Sequence, residues 1–143
     1  MAQVSNFESR TGRPQATPEE VFAFVTDLRN FRQFVPKNSV NSLVIDKETC
    51  SFVITAIGSA NIRLSAKDPF SKVEYAGNAL QDNEFSLILK INKSDSGSSE
   101  VKIFLDAELN PFLRMMASGP IRNFLETVID EMEKFRGWRE TNQ

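Results

Sequence analysis

The C-terminal stretch, residues 110–138, reads NPFLRMMASGPIRNFLETVIDEMEKFRGW. Asn110 can cap a helix through its side chain, and Pro111 supplies a preset φ at the first helical position. An apolar stripe then recurs at the helical period for about seven turns. Its members are Phe112, Met115, Met116, Phe124, Leu125, Val128, Met132, Phe135 and Trp138. The stretch therefore predicts a long C-terminal helix with one buried face.

Gly119 and Pro120 interrupt this stripe. A proline inside a helix forfeits one backbone hydrogen bond and crowds the preceding turn. We therefore expect either a kink here or a short helix followed by a longer one that starts near Ser118. Met115 and Met116 lie beside the break, where flexible side chains are equally consistent with an adaptable cavity entrance and with core filling.

Between residues 40 and 109 apolar residues recur at every second position, which predicts half-buried strands. The alternating rows are Cys50, Phe52, Ile54 and Ala56; Ile62, Leu64 and Ala66; Val73 and Tyr75; Phe85, Leu87, Leu89 and Ile91; and Val101, Ile103, Leu105, Ala107 and Leu109. Short turn segments separate the rows, so the strands form hairpins in an antiparallel meander. A further, weaker strand is expected over residues 4–13, with Phe7, Ser9 and Thr11 on one face.

Two short helices are predicted between that first strand and the meander. Residues 17–20 read TPEE, a capping box with proline at the first helical position, and an amphipathic run follows. Asn30 has the same cap pattern with Gln33 three residues later, and Pro36 ends this second helix.

Two stretches carry a resemblance to a known family: PEEVFAFVTDL at 18–28 with FVP at 34–36, and NPF at 110–112 to GPI at 119–121. They resemble the helix-grip superfamily, which includes START lipid-transfer domains, polyketide cyclase-like proteins, coenzyme Q-binding proteins and pollen-allergen relatives. The resemblance covers nearly the whole chain. It implies one α+β domain over residues 1–143, with a curved antiparallel sheet of about seven strands, two short helices after the first strand, and a long kinked C-terminal helix across the concave face.

The composition excludes several kinds of catalytic, metal and nucleotide site. The chain has no histidine and one cysteine, which excludes histidine-based triads and cysteine-cluster metal sites, and no glycine-rich nucleotide fingerprint occurs. We therefore expect no metal and no cofactor. The net charge of -2 with interspersed signs argues against a nucleic-acid partner, and no apolar run is long enough for a membrane span. A cytoplasmic location is the expectation.

The resemblance implies a mostly apolar cavity between the sheet and the last helix, without naming its occupant. Twelve phenylalanines against one tryptophan and one tyrosine fit either a Phe-lined cavity or a Phe-filled core. Tyr75 is the first choice for a group that orients a ligand, and its alternative role is a hydroxyl that reaches water at the sheet edge. The candidate lining residues are Phe52, Ile54, Leu64, Tyr75, Phe85, Leu87, Leu89, Ile103, Met115, Met116 and Phe124.

Three functions remain open on this basis. The first is binding or carriage of a small hydrophobic or amphipathic molecule, such as a lipid, a quinone or a polyketide-like compound. The second is a cyclase, dehydratase or hydrolase that uses Tyr75 and a buried carboxylate; Asp106 and Glu108 are a possible pair, but alternation places them on the outer face. The third is an interaction module with a filled core, in which Phe31, Phe34 and Val35 form a patch for a partner or a homodimer.

Overall fold

The fold is taken from a computed structural model, which describes residues 3–34, 40–46, 48–54, 58–79 and 83–138. The elements are β1 (Gln3–Glu8), α1 (Pro18–Val25), a 3-10 helix (Leu28–Gln33), β2 (Val40–Ile45), β3 (Thr49–Ile54), β4 (Gly58–Asp68), β5 (Lys72–Ala79), β6 (Asn83–Lys93), β7 (Ser99–Leu109) and α2 (Pro111–Lys134). The strands of this described part pair antiparallel in the order β1-β7-β6-β5-β4-β3-β2. This confirms the predicted meander and its seven-stranded sheet.

The core lies between one face of the sheet and α2, which packs on β1 and β7. Strand β7 alternates regularly, with Val101, Ile103 and Leu105 buried on that face. From α2 the buried side chains are Ala117, Ile121, Phe124, Leu125, Val128, Ile129 and Met132. Because burial of one such large side chain stabilises a fold by about 1.5–3 kcal/mol, this seam is a main source of stability.

Helix α2 runs unbroken through Pro120, so the alternative of two separate helices is wrong. The proline removes the hydrogen bond to the Met116 carbonyl, but Met116 and Gly119 are exposed, so the affected turn is open to solvent. The helix ends at Lys134 because Phe135 adopts an extended conformation, yet Trp138 is still buried. No helix among the described residues combines the length and apolar character that crossing a bilayer requires.

The first short helix begins as predicted and the second does not. The Thr17 hydroxyl accepts a hydrogen bond from the Glu20 backbone N–H at 3.2 Å, and the reciprocal bond of the capping box is present. The 3-10 helix is capped by Asp27, whose carboxylate accepts from the Arg29 backbone N–H at 3.0 Å. Asn30 lies inside this helix, which begins at Leu28, so its prediction as a cap is wrong; its side-chain amide donates to the Phe24 carbonyl at 3.0 Å.

The segment after β1 also departs from its predicted pattern. Phe7 and Ser9 are buried as expected, but Thr11 is exposed. The regular strand ends at Glu8, and Gly12 then exchanges two backbone hydrogen bonds with Val101. This separate bridge turns Gly12 inward and leaves Thr11 facing solvent, so the prediction that Thr11 shares a face with Phe7 and Ser9 is wrong.

An ionic cluster ties the segment after β1 to α2. The Arg10 backbone N–H donates to Glu126 at 2.9 Å, and the Arg10 guanidinium contacts both Asp130 and Glu133. The Arg13 backbone N–H donates to the Glu133 carboxylate at 2.9 Å. Hydrogen bonds from Arg10 thereby lower the pKa of the Glu133 carboxyl below its usual value.

We expect Glu133 to contribute to acid sensitivity. Because its pKa is lower in the folded chain than in the unfolded one, its stabilising contribution is present above about pH 4.5 and is lost as the pH falls through the folded value. In Glu133→Gln the free energy of unfolding should fall less steeply as the pH decreases, which urea denaturation at a series of pH values between 7 and about 3 measures. Glu131→Gln on the same helix is the control, and an equal effect there would contradict the assignment.

Candidate functional site

Two adjoining cavities lie between the concave face of the sheet and α2. Cavity 1 has a volume of about 60 Å³ and is lined by Phe31, Phe52, Ala60, Ile62, Ala79, Asn83, Phe85, Leu87, Leu105, Ala107, Leu109, Ile121 and Phe124. Cavity 2 has a volume of about 30 Å³ and is lined by Phe24, Val25, Phe31, Phe34, Tyr75, Leu87, Leu89, Ile103, Val128 and Met132. Both walls are overwhelmingly apolar.

The volumes show that phenylalanine rings fill much of the interior. One water molecule needs about 10–15 Å³ on this measure, so cavity 1 has room for only a few atoms. Phe52 and Phe124 stack with ring centroids 6.5 Å apart, and Phe31 lies 6.4 Å from Phe52. A whole lipid therefore does not fit without movement of these rings.

Phe31 and Leu87 line both cavities and thus lie between them. Phe31 is half-buried and belongs to the 3-10 helix, whereas Leu87 is buried in the middle of β6. The sequence suggested Phe31 only as part of an interaction patch. Its position at the cavity depends on how the 3-10 helix packs over β3, which no local pattern reports.

The structure distributes the predicted lining residues unevenly. Phe52, Phe85, Leu87 and Phe124 line cavity 1, and Tyr75, Leu87, Leu89 and Ile103 line cavity 2. Leu64 is half-buried and lines neither, at a point where the pairing of β4 with β5 becomes irregular. The Ile54 side chain lies outside the described residues.

Met115 and Met116 are on the outer side of α2, away from both cavities. The inward face of this part of the helix instead carries Leu113, Ala117 and Ile121, spaced by four residues. The apolar stripe in the sequence mixes two helix faces, because large apolar residues stand on both sides of the first two turns. The prediction that the two methionines line the cavity is therefore wrong, because the helix is rotated so that both point to solvent.

The Tyr75 hydroxyl is already used inside the protein. It donates a hydrogen bond to the Val25 carbonyl at 2.6 Å, and the side chain is buried. Burial raises the pKa of this phenol well above its usual value. The alternative in which the hydroxyl reaches water is therefore wrong. The bond holds the C-terminal end of α1 against β5, with Tyr75 forming part of the wall of cavity 2.

Tyr75→Phe tests this assignment. We expect the free energy of unfolding to fall by about 1–3 kcal/mol, because the Val25 carbonyl loses its partner in a buried setting. Urea denaturation of the two proteins measures the difference. A change below about 0.5 kcal/mol would show that the bond contributes little.

The other residues considered for catalysis or metal binding lie apart from the cavities. Asp106 accepts a hydrogen bond from the Asn6 amide on the outer face of the sheet, and Glu108 is exposed there. Cys50 is buried, and desolvation raises the pKa of its thiol to about 11, so it is a small core side chain at neutral pH. Within the described ranges, no cluster of three histidine, cysteine or acidic residues could hold a metal ion.

Solved structures share this arrangement of sheet and helix. Norcoclaurine synthase from Thalictrum flavum matches with a TM-score of 0.72 at 9% identity, over 93% of this chain and 86% of that one. A protein of unknown function from Staphylococcus aureus matches with a TM-score of 0.69 at 10% identity, over 93% of both chains. Ara h 8.0201 matches with a TM-score of 0.59 at 12% identity, over 93% of this chain and all of that one.

The chain has a helix-grip fold. The fold predicted from the sequence is thus confirmed. Neither a protein-family model nor a curated protein sequence matches the chain. At these low identities the helix-grip likeness concerns the fold alone, and the ligand must be argued from the cavities themselves.

Proposed function

We propose that this helix-grip protein binds and carries a small apolar molecule between its sheet and α2. The observation that carries the proposal is the wall of cavity 1. Among its described lining residues, Asn83 alone has a polar side chain, and the others are aliphatic or aromatic. A pocket of this kind selects for apolar shape, because a polar ligand would lose its hydration without gaining partners.

The size of the cavities limits how the ligand enters. Cavities 1 and 2 are separate small spaces, and Phe31 lies between them. A rotation of Phe31 would join them along the concave face, since this half-buried ring is held on one side by Phe52. We propose that a lipid, quinone or polyketide-like molecule is accommodated by such a movement, and that a smaller apolar molecule such as toluene needs only small shifts of the surrounding rings.

The structural neighbours are consistent with this use of the fold. One of them, norcoclaurine synthase, has a structure in complex with a transition-state analogue. The match covers 94% of this chain, so it includes most of the sheet and of the helix that enclose the cavities here. This likeness supports the choice of the helix-grip interior as the binding region.

Filling cavity 1 is the direct test. Ala107 is buried and lines cavity 1, so Ala107→Leu places three further carbon atoms in the space that the ligand would occupy. Toluene should raise the melting temperature of the parent protein and fail to raise that of Ala107→Leu, because a ligand stabilises only a state that binds it. Phenol, of similar shape but polar, should have a smaller effect on the parent.

Ala76→Leu is the matched control. Ala76 lies on the outer face of β5, so this substitution adds the same three carbon atoms away from the cavities. Native mass spectrometry of the protein purified from cells then asks whether an apolar molecule co-purifies with the parent and with Ala76→Leu but not with Ala107→Leu. Equal toluene stabilisation of all three proteins, or of none, would overturn the proposal.

A further inference from the structure

Three large apolar side chains are exposed on the first two turns of α2. The exposed fraction is 77% for Met115, 65% for Phe112 and 46% for Met116. Their spacing of three and four residues places them on one face of the helix, opposite the inward residues. We call this surface the apolar ridge. Such a concentration of exposed apolar surface is unusual unless it contacts a partner.

The charged residues within the first half of α2 are of one sign, although Glu108, two residues before Asn110, is also exposed. Between residues 110 and 125 the charged side chains are Arg114 and Arg122, and every acidic residue of α2 lies at position 126 or beyond. Three of those acids surround Arg10 at the other end of the helix. The helix therefore presents a basic, apolar half and an acidic half, and this asymmetry would orient it on a negatively charged surface.

The apolar ridge and cavity 1 occupy two sides of the same segment. Leu109 and Ile121, which flank residues 110–120, both line cavity 1. Ala117 is buried within this segment, and Leu113 packs against the core. A surface that contacts the apolar ridge is thus one helix diameter, about 10 Å, from the cavity.

We propose that the apolar ridge docks on an anionic lipid bilayer, an inference that rests on the proposed carriage of an apolar ligand. Phe112 and Met115 would enter the headgroup region, while the exposed Arg122, seven residues after Met115 on the same face, reaches lipid phosphates. A second copy of the chain fits less well, because a two-fold contact centred on the apolar ridge would bring the basic first halves of two α2 helices together. With three apolar side chains and few charges, the contact is weak and reversible, as a carrier requires.

Vesicle co-sedimentation tests the docking without any ligand. Phosphatidylcholine vesicles are compared with vesicles of phosphatidylcholine and phosphatidylserine, using the parent, Met115→Glu and Val44→Glu. Val44 is 68% exposed on β2, at the opposite edge of the sheet from β1, so its variant makes the same charge change elsewhere. We expect the phosphatidylserine vesicles to bind the parent and Val44→Glu, and Met115→Glu to bind at least about tenfold more weakly.

Several outcomes would overturn the docking. These are no binding of the parent to either vesicle, equal binding to both, or equal loss in the two variants. A parent that sediments as a dimer and becomes a monomer in Met115→Glu, without vesicles present, would assign the apolar ridge to a second copy instead. The toluene experiment does not depend on any of these results, so a failed docking leaves the cavity proposal standing, and a failed toluene test is distinguishable from a failed vesicle test.

Discussion

Gly77→Ala is expected to lower the free energy of unfolding by at least about 3 kcal/mol, or to prevent folding. Gly77 is buried on β5, opposite Ile62 of β4. A Cβ atom at this position would lie 1.8 Å from the Asn61 backbone carbonyl oxygen, and 3.0 Å from the Ile62 Cα. Both contacts are with backbone, so no side-chain rotation relieves them. The two strands would have to separate where they bound the cavity region.

The soluble yield, far-UV circular dichroism and urea midpoint of Gly77→Ala measure this cost. Gly119→Ala is the matched control, because a Cβ there has no neighbour within 4 Å outside the adjacent residues and the local helix. Its gain in helix propensity is offset by contact with the Pro120 ring, so we expect a change within about 1 kcal/mol. A loss below about 1 kcal/mol in Gly77→Ala would contradict so close an approach of β4 and β5.

The features that the sequence predicted correctly are those with a local physical cause. Strands β3 to β7 follow from period-two alternation, since one face of each meets the core and the other meets solvent. The start of α1 follows from the Thr17 and Glu20 hydrogen bonds, which involve residues three apart. Asn110 likewise caps α2 by accepting from the Leu113 backbone N–H. Each signal is complete within a few residues.

The site is less predictable because its features depend on contacts between distant residues. Phe52 and Phe124 face each other across cavity 1, but their stacking joins β3 to α2 over 72 positions, a separation that no periodicity reports. The Tyr75 hydroxyl bonds a carbonyl 50 residues away. Hydrophobicity alone predicts that Met115 and Met116 face inward, and only the packing of Ala117 and Ile121 on the sheet fixes the helix phase.

The second large effect is expected from Phe24→Ala, which should lower the free energy of unfolding by about 3–5 kcal/mol. The buried Phe24 ring lies 5.6 Å from Phe34, 4.9 Å from Phe135 and 5.2 Å from Trp138, measured between ring centroids. This cluster joins α1 and the 3-10 helix to the chain beyond α2. Because Phe24 also lines cavity 2, its truncation enlarges a space that is already present and cannot be refilled by small shifts.

Phe22→Ala is the control on the same helix. Phe22 is half-buried and has one close ring, Phe70 at 5.5 Å, so its loss should cost about 1 kcal/mol. Urea denaturation separates the two variants, and equal costs would contradict the role of the cluster. Toluene adds a further comparison: if the enlarged cavity 2 accepts it, toluene should raise the melting temperature of Phe24→Ala by more than that of the parent or Phe22→Ala. That result would show that space beside Phe31 is open to apolar ligands, as carriage across both cavities requires.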